Sequence, residues 1–165
     1  MGDGKMRNLN PSNIIRDEGC VSIEAVHGLE KAHNLVLPKE YANFITMHNG
    51  ARMFARIFNY FDSNIDKKNS NAIYFDKVEK IQDSIALLKS DEEPDWPIEY
   101  RFEDGLIPFG DNGGGDMICF DYRNDKMTDD PPIVIWNHDM GLKHRVVFIA
   151  NNFEEFINML HEPED

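Results

Sequence analysis

The stretch LIPFGDNGGGDMICFDYR, residues 106–123, places three consecutive glycines between two aspartates, Asp111 and Asp116. Short apolar runs lie on both sides of the glycines. Glycine reaches positive φ at no steric cost, and Asp and Asn side chains readily bond the backbone amides that follow them. The stretch therefore predicts a tight reversal between two β-strands, with both aspartates exposed at the end of a sheet.

A phosphate-binding or metal-binding loop is the other interpretation of such a turn. Gly110 and residues 113–115 lack the spacing of the phosphate loops G-x-x-x-x-G-K-[ST] and G-x-G-x-x-G, and the neighbouring acids would repel phosphate. Residues 62–66 begin like a calcium loop, but Lys67 occupies the glycine position and Ile73 the position of the bidentate glutamate. We therefore predict neither a cofactor nor a metal.

Catalytic groups are also sparse in the sequence. Cys119 and His138 form a conceivable nucleophile and base, yet Cys119 lies in the apolar run MICFDY, where a small core residue fits. His138, Asp139 and His144 are close in sequence, but no CxxC or HExxH motif accompanies them, so we expect exposed turn histidines. We predict that the protein is not an enzyme. A metal-dependent enzyme using Asp116, His138 and Asp139 is the least favoured alternative.

Hydrophobic spacing divides the first half of the chain into helices and short strands. Segments with helical spacing, predicted as helices, are residues 22–34, 38–48, 76–89 and, at the end of the chain, 152–161. Ser22 and Asn152 are suited to cap two of these helices. Residues 53–61, with their aromatic and branched side chains, predict a strand, the polar residues 62–71 a loop, and residues 73–75 a further short strand.

The second half of the chain is dominated by strand-like runs. LIPFG, DMICFDY, PPIVIWNHD and HRVVFIA are separated by turn residues. Helices followed by hairpin-linked strands predict an α+β single domain, with a mixed, mainly antiparallel sheet and helices packed against it. We expect a flexible N-terminus at residues 1–12, whose first five residues read as an artificial extension, a domain at 13–161 and an acidic tail at 162–165.

The charge balance restricts the class of partner. The chain carries 30 acidic and 17 basic residues, a net charge of −13, which disfavours nucleic acid and favours a protein with a basic face. No apolar run approaches the length of a membrane span, so we predict no membrane partner. We expect Cys20 and Cys119 to be buried, reduced thiols in a cytoplasmic protein. The composition does not decide between a monomer and a homodimer.

A speculative contact surface lies in the stretch SDEEPDWPIEY, residues 90–100. Its tryptophan is a plausible aromatic anchor, since tryptophan often dominates interface energies. Acidic side chains surround that tryptophan, and we expect them to face the basic partner together with the two aspartates of the glycine-rich turn. The predicted contact residues are Asp91, Glu92, Glu93, Asp95, Trp96, Glu99, Asp111 and Asp116.

Four segments in a characteristic order resemble the SUKH superfamily, which includes cell-wall-synthesis regulators of the SMI/KNR type and bacterial immunity proteins. They are LPKEYANFITMHNG, LIPFGDNGGGDMICFDYR, PPIVIWNHD and VFIANNFEEFINML, and the resemblance extends over residues 19–161. The positions that match the family signature, most of them expected to be structural, are Leu37, Pro38, Tyr41, Asn49, Gly50, Phe109, Gly114, Gly115, Asp116, Asp121 and Trp136.

The resemblance implies an SMI/KNR-like fold and a function in protein binding. The bacterial members resemble immunity proteins that bind and neutralise a cognate polymorphic toxin, often a nuclease, and family members are not known as enzymes. We therefore expect a non-enzymatic immunity protein that occludes a toxin. A regulatory scaffold in the control of cell-wall synthesis, like the fungal members, is the alternative.

Overall fold

The computed structural model describes residues 6–89, 102–140 and 144–164, and it shows an α+β fold. The helices are α1 (Ile23–His33), α2 (Lys39–Met47), α3 (Val78–Leu88) and α4 (Phe153–Met159). The strands are β1 (Ile14–Arg16), β2 (Arg52–Met53), β3 (Ile57–Asp62), β4 (Lys67–Ala72), β5 (Tyr74–Phe75), β6 (Leu106–Asp111), β7 (Met117–Asp121), β8 (Ile133–Trp136) and β9 (Val146–Ala150).

A five-stranded antiparallel sheet organises the molecule. Its strands lie in the order β5-β6-β7-β8-β9, and β1-β2 and β3-β4 form two smaller antiparallel pairs. The register places Ile118 of β7 opposite Ile135 of β8, and it shifts in β6 between Pro108 and Gly110. Proline cannot donate to a sheet ladder, so an irregularity beside Pro108 is expected. The α+β class and the antiparallel sheet agree with the sequence prediction.

One face of the large sheet forms the main core with the helices. Successive side chains of a strand alternate between faces, so Phe109 and Phe120 point the same way from paired strands. Their rings stack with centroids 4.2 Å apart, and Tyr41 of α2 meets Phe120 edge-on at 5.0 Å. Phe153 of α4 closes the same aromatic group. These residues join the three signature elements α2, the β6–β7 hairpin and α4 in one core.

The opposite face of the sheet carries a second, smaller apolar cluster. Its buried members are Phe102, Leu106, Cys119, Val134 and Trp136. Beside it, the fully buried guanidinium of Arg145 donates from Nε and Nη2 to Oε1 of Glu103, at 3.0 and 2.6 Å, and lies 5.8 Å from the Trp136 ring. This ion pair ties the segment before β6 to the start of β9, so it holds the covering segment on the sheet.

The polar segment 62–71 differs from its prediction as a loop. Residues 67–72 form β4, which pairs with β3 in continuous antiparallel register. Its side chains are polar and largely exposed, so the hydrophobic alternation that marks a strand is missing. The Tyr60 hydroxyl accepts hydrogen bonds from the side-chain amides of Asn71 and Asn69, at 2.9 and 3.4 Å. Cross-strand polar bonds, rather than an apolar alternation of its own, mark β4 as a strand.

The predicted strand at residues 53–61 is divided between two small sheets. β2 ends at Met53 and β3 begins at Ile57. Between them, the amides of Phe54 and Ala55 donate to the backbone and side chain of Asn13, and the amide of Arg56 donates to the carbonyl of His161. The chain therefore changes partners within one apolar run, which a period-two pattern does not reveal.

The helix boundaries follow their predicted caps. Ser22 Oγ accepts from the amide of Glu24 at 3.2 Å, and Asn152 Oδ1 accepts from the amide of Glu155 at 2.9 Å. The side chain of Asn49 caps α3 from a distance in sequence, since its Oδ1 accepts from the amide of Val78 at 2.9 Å.

None of the helices in the described segments is both long and apolar enough to cross a bilayer.

The residues before β1 make specific contacts with the end of α4. The Met6 amide donates to Asn158 Oδ1 at 2.7 Å, and the Asn8 side chain donates to the carbonyls of Ile157 and Leu160, at 2.8 and 3.1 Å. Residues 6–12, where the sequence predicts a flexible terminus, therefore lie against the last helix.

The two cysteines have different environments. Cys119 is fully buried in the second apolar cluster, as predicted, whereas Cys20 is exposed. The prediction of a buried thiol at Cys20 is therefore wrong: the residue precedes α1 on the surface, and its apolar neighbour Val21 is only half-buried.

Candidate functional site

Residues 111–116 form the reversal between β6 and β7 that the sequence predicts. Gly113 and Gly115 have φ values of 83° and 102°, which favour glycine. Asn112 Oδ1 accepts from the amides of Gly114 and Asp116 at 2.9 and 3.1 Å, and Asp111 Oδ1 accepts from the amide of Gly113 at 2.8 Å. The polar side chains therefore bond the turn itself.

Asp116 is half-buried, which corrects the expectation of an exposed carboxylate. Its Oδ1 accepts from the backbone amide and the ring Nδ1 of His138, at 3.1 and 2.6 Å, and its Oδ2 accepts from Asn112 Nδ2 at 3.1 Å. Asn112 Nδ2 also donates to Asn71 Oδ1 at 2.9 Å, which links this turn to β4. Asp116 thus joins the glycine-rich turn to the loop after β8, and Asn112 joins the same turn to β4.

Asp111 is half-buried too, and a second acid, Asp76, lies close to it. The pairing of β5 with β6 places Tyr74 opposite Asp111, and Asp76 follows two residues later. Burial, followed by the hydrogen bond and the negative charge of Asp111, raises the pKa of Asp76 to about 7, while Arg52 acts in the opposite direction. The protonated form of Asp76 is therefore favoured beside Asp111 in the folded protein. Sequence reasoning missed this pair, since only the strand pairing brings the two residues together.

A potential metal donor set exists at the same end of the sheet. Oxygen and nitrogen atoms of Asp116, His138 and Asp139 lie within 4.8 Å of one another. Both oxygens of Asp116 already accept hydrogen bonds, and His138 Nδ1 bonds to one of them. His144 lies apart from this set and pairs with Asn64 at 2.8 Å. Internal hydrogen bonds thus account for the positions of Asp116 and His138.

Cys119 has no nucleophilic character in this fold. Burial raises the pKa of its thiol, and the nearby carboxylates of Asp121 and Asp76 raise that pKa further. A thiol must ionise to act as a nucleophile, so Cys119 is a core residue.

The signature positions lie in the core and at the ends of elements. Leu37, Tyr41, Phe109 and Trp136 are buried, and Pro38 precedes α2 at its N-cap. Those in turns or polar networks are Asn49, Gly50, Gly114, Gly115, Asp116 and Asp121. Trp96 and the acidic contact residues predicted around it lie outside the described residues. Those acidic residues are Asp91, Glu92, Glu93, Asp95 and Glu99.

We expect Gly115→Ala to destabilise the protein by about 1–3 kcal/mol, because residue 115 has a positive φ and a β-carbon there would lie 3.1 Å from the His138 ring. Gly114→Ala is the matched control, since a β-carbon at 114 meets nothing closer than 3.5 Å. Denaturant unfolding measures both variants. Equal losses of stability in the two variants would contradict a special conformational role for Gly115.

An exposed loop between β7 and β8 presents a second surface. Met127, 89% exposed, lies in this loop, residues 123–130, which we call the Met127 loop. Asp125 Oδ1 accepts from the Met127 amide at 2.9 Å, and Thr128 Oγ1 accepts from the Asp130 amide at 3.0 Å. Asp125, Asp129 and Asp130 are all exposed around the methionine. The sequence signal for this surface was a single apolar residue, Met127, within the polar run NDKMTDD.

Comparison with known proteins identifies relatives of the chain. Residues 20–159 match the sequence model of the SMI1 / KNR4 family (SUKH-1). The "SPbeta prophage-derived uncharacterized protein YokK" of Bacillus subtilis (strain 168) is 37% identical over 65 residues, which cover 38% of this chain and 31% of that protein. The family match includes the glycine-rich hairpin and all the signature positions, whereas the Bacillus match covers less than a third of the relative.

Proposed function

We propose that this chain, which belongs to the SMI1 / KNR4 family (SUKH-1), is a non-enzymatic protein-binding domain that acts as an immunity protein. It binds a cognate toxin with a basic face, such as a nuclease, and occludes the toxin's active site. The partner is a protein rather than a nucleic acid, because the chain carries a net charge of −13.

The observation that carries this proposal is the Met127 loop. A flexible apolar side chain, 89% exposed, stands among three exposed aspartates. Methionine adapts to partner surfaces, and an apolar anchor with a polar rim is the usual anatomy of an interface. The backbone of the Met127 loop is held by two hydrogen bonds, from the Met127 amide to Asp125 and from the Asp130 amide to Thr128. Less ordering of the loop is therefore needed on binding.

The internal bonding of the other candidate groups supports a function without catalysis. Asp116 and His138 are bonded to each other, and Asp76 is hydrogen-bonded to Asp111. Cys119 is buried with a raised pKa. Each of these groups therefore has a structural explanation, and their network stabilises the hairpin end on which the fold depends.

The direct test is binding to the protein encoded by the neighbouring gene, measured by titration calorimetry with the full chain. We expect a saturable complex that Met127→Ala weakens at least about tenfold, because a central anchor contributes more than 1–2 kcal/mol. Asp129→Lys should slow association and reduce its salt dependence. The matched controls lie on α3: Leu87→Ala removes another exposed apolar side chain, and Asp83→Lys reverses another exposed charge.

Different failures of this experiment have different meanings. Full affinity in Met127→Ala and Asp129→Lys would contradict the Met127 loop as the contact surface. Absence of any complex with the wild-type chain would contradict the immunity proposal itself. A complex with a signalling protein instead of a toxin would favour the alternative, a regulatory scaffold of the kind that controls cell-wall synthesis.

A further inference from the structure

A cleft of about 330 Å³ lies beside the β1–β2 pair and the start of α3. Four cationic side chains line it, Arg16 of β1, Arg52 of β2, Lys77 at the N-cap of α3 and Lys80 in its first turn. The chain has only 17 basic residues against 30 acidic ones, so four cations around one cleft are a local reversal of its charge.

The placement of these cations opposes the stability of the free protein. Arg16 and Arg52 are directly opposite each other in the β1–β2 register, and like charges at such positions destabilise a strand pair. Arg16, Lys77 and Lys80 make no ion pair or side-chain hydrogen bond with any other described residue. Unfavourable placements of like charges occur mainly at functional sites, where a bound ligand compensates for the repulsion.

The backbone holds one of the cations at the cleft. Arg52 Nη1 donates to the carbonyls of Phe75 and Gly50 at 2.9 and 3.3 Å, and the guanidinium lies 5.3 Å from the Tyr74 ring centre. Gly50 has φ +63°, and a β-carbon there would lie 3.2 Å from Lys77 Cγ. The absence of a side chain at residue 50 therefore leaves room for Lys77 beside the fixed guanidinium.

The acidic residues of the lining do not cancel this positive charge. Asp17 is bonded to His48 Nδ1 at 2.9 Å and to the Gly19 amide at 2.7 Å. The lining holds four cations against three acids, Asp17, Glu18 and Asp76, so its charge balance is positive although that of the whole chain is negative.

We propose that this cleft is a binding site for a multivalent oxyanion of the phosphate type. Ionic hydrogen bonds from several cations suit a compact anion with oxygens on every side. Arg52 supplies a fixed fork of donors, while the lysines supply mobile point charges. The lining of the cleft shares no residue with the Met127 loop, and the test of the cleft needs no partner protein.

Titration calorimetry with pyrophosphate tests the proposal on the full chain at constant ionic strength. We expect saturable binding, weakened about tenfold by Arg16→Gln and by Lys80→Gln, because a hydrogen bond to a charged group contributes this much. Both side chains are exposed, so the variants should fold, and circular dichroism checks this. Lys67→Gln and Lys68→Gln, with the same charge loss on exposed β4, are the matched controls.

A second titration with citrate separates the sources of the anion. Binding of pyrophosphate but not of citrate would show that the site is specific for phosphate groups. Equal binding of citrate would show that the site also accepts clustered carboxylates. Absence of saturable binding to either compound would overturn the proposal. Equal weakening by the β4 control variants would also overturn it, because the attraction would then come from the overall charge and not from the cleft.

Discussion

Replacing Glu103 with alanine is expected to lower the free energy of unfolding by about 3 kcal/mol, because the change leaves a buried guanidinium without its carboxylate. Arg145 is fully buried, and its Nε and Nη2 both donate to Oε1 of Glu103. Arg123 lies 3.7 Å from the other oxygen of the same carboxylate. Denaturant unfolding at pH 7 measures the loss.

The neighbouring residue provides a control for this prediction. Asp104 pairs with Lys89, but its side chain is 91% exposed, so Asp104→Ala should cost less than about 1 kcal/mol. Glu103→Gln keeps an acceptor for Arg145 and loses only the charge, so its cost should lie between the two. A Glu103→Ala variant as stable as Asp104→Ala would contradict a structural role for this ion pair.

Replacing Asp76 with asparagine is expected to stabilise the protein by about 2–4 kcal/mol at pH 8. The pKa of Asp76 is raised from 3.8 to about 7 in the folded protein, mainly by burial and then by Asp111. About three pKa units correspond to roughly 4 kcal/mol, an upper value because Asp76 interacts directly with a second acid, Asp111. Asparagine cannot ionise, and its amide can donate to Asp111.

The sign of this effect fixes its dependence on pH. Well below the unfolded pKa of 3.8, Asp76 is protonated in both the folded and the unfolded chain, so its ionisation costs nothing. As the pH rises from 4 to 7, the unfolded chain releases the proton first and wild-type stability falls. The advantage of Asp76→Asn should therefore grow from pH 4 to pH 7 and then remain constant. Asp83→Asn, on the exposed face of α3, should show no such trend. A constant difference for Asp76→Asn at all pH values would contradict the raised pKa of Asp76.

Much of the fold follows from local patterns in the sequence. The reversal at residues 111–116, the caps at Ser22 and Asn152, and the apolar face of α2 are each determined by residues close together in the chain. Such signals are strong because glycine conformation, capping bonds and helical spacing depend on neighbours within a few residues.

Other features depend on contacts between distant parts of the chain. β4 is a strand because Asn69 and Asn71 bond across to Tyr60, although its composition resembles a loop. Asp111 and Asp76 meet only because β5 pairs with β6. A single sequence shows neither pairing, so the contact between Asp76 and Asp111 and the cationic cleft could not be predicted. The exposure of Met127 also required the structure, since an isolated methionine is more often a core residue.

The measurement that tests the central proposal most directly is protection of cells by co-expression. The product of the neighbouring gene is induced with or without the wild-type chain, and growth is recorded. We expect the wild-type chain to restore growth and the double variant Met127→Ala, Asp129→Lys to fail, while Leu87→Ala, Asp83→Lys protects as well as the wild type. A wild-type chain that neither binds the toxin nor restores growth would contradict the assignment as an immunity protein.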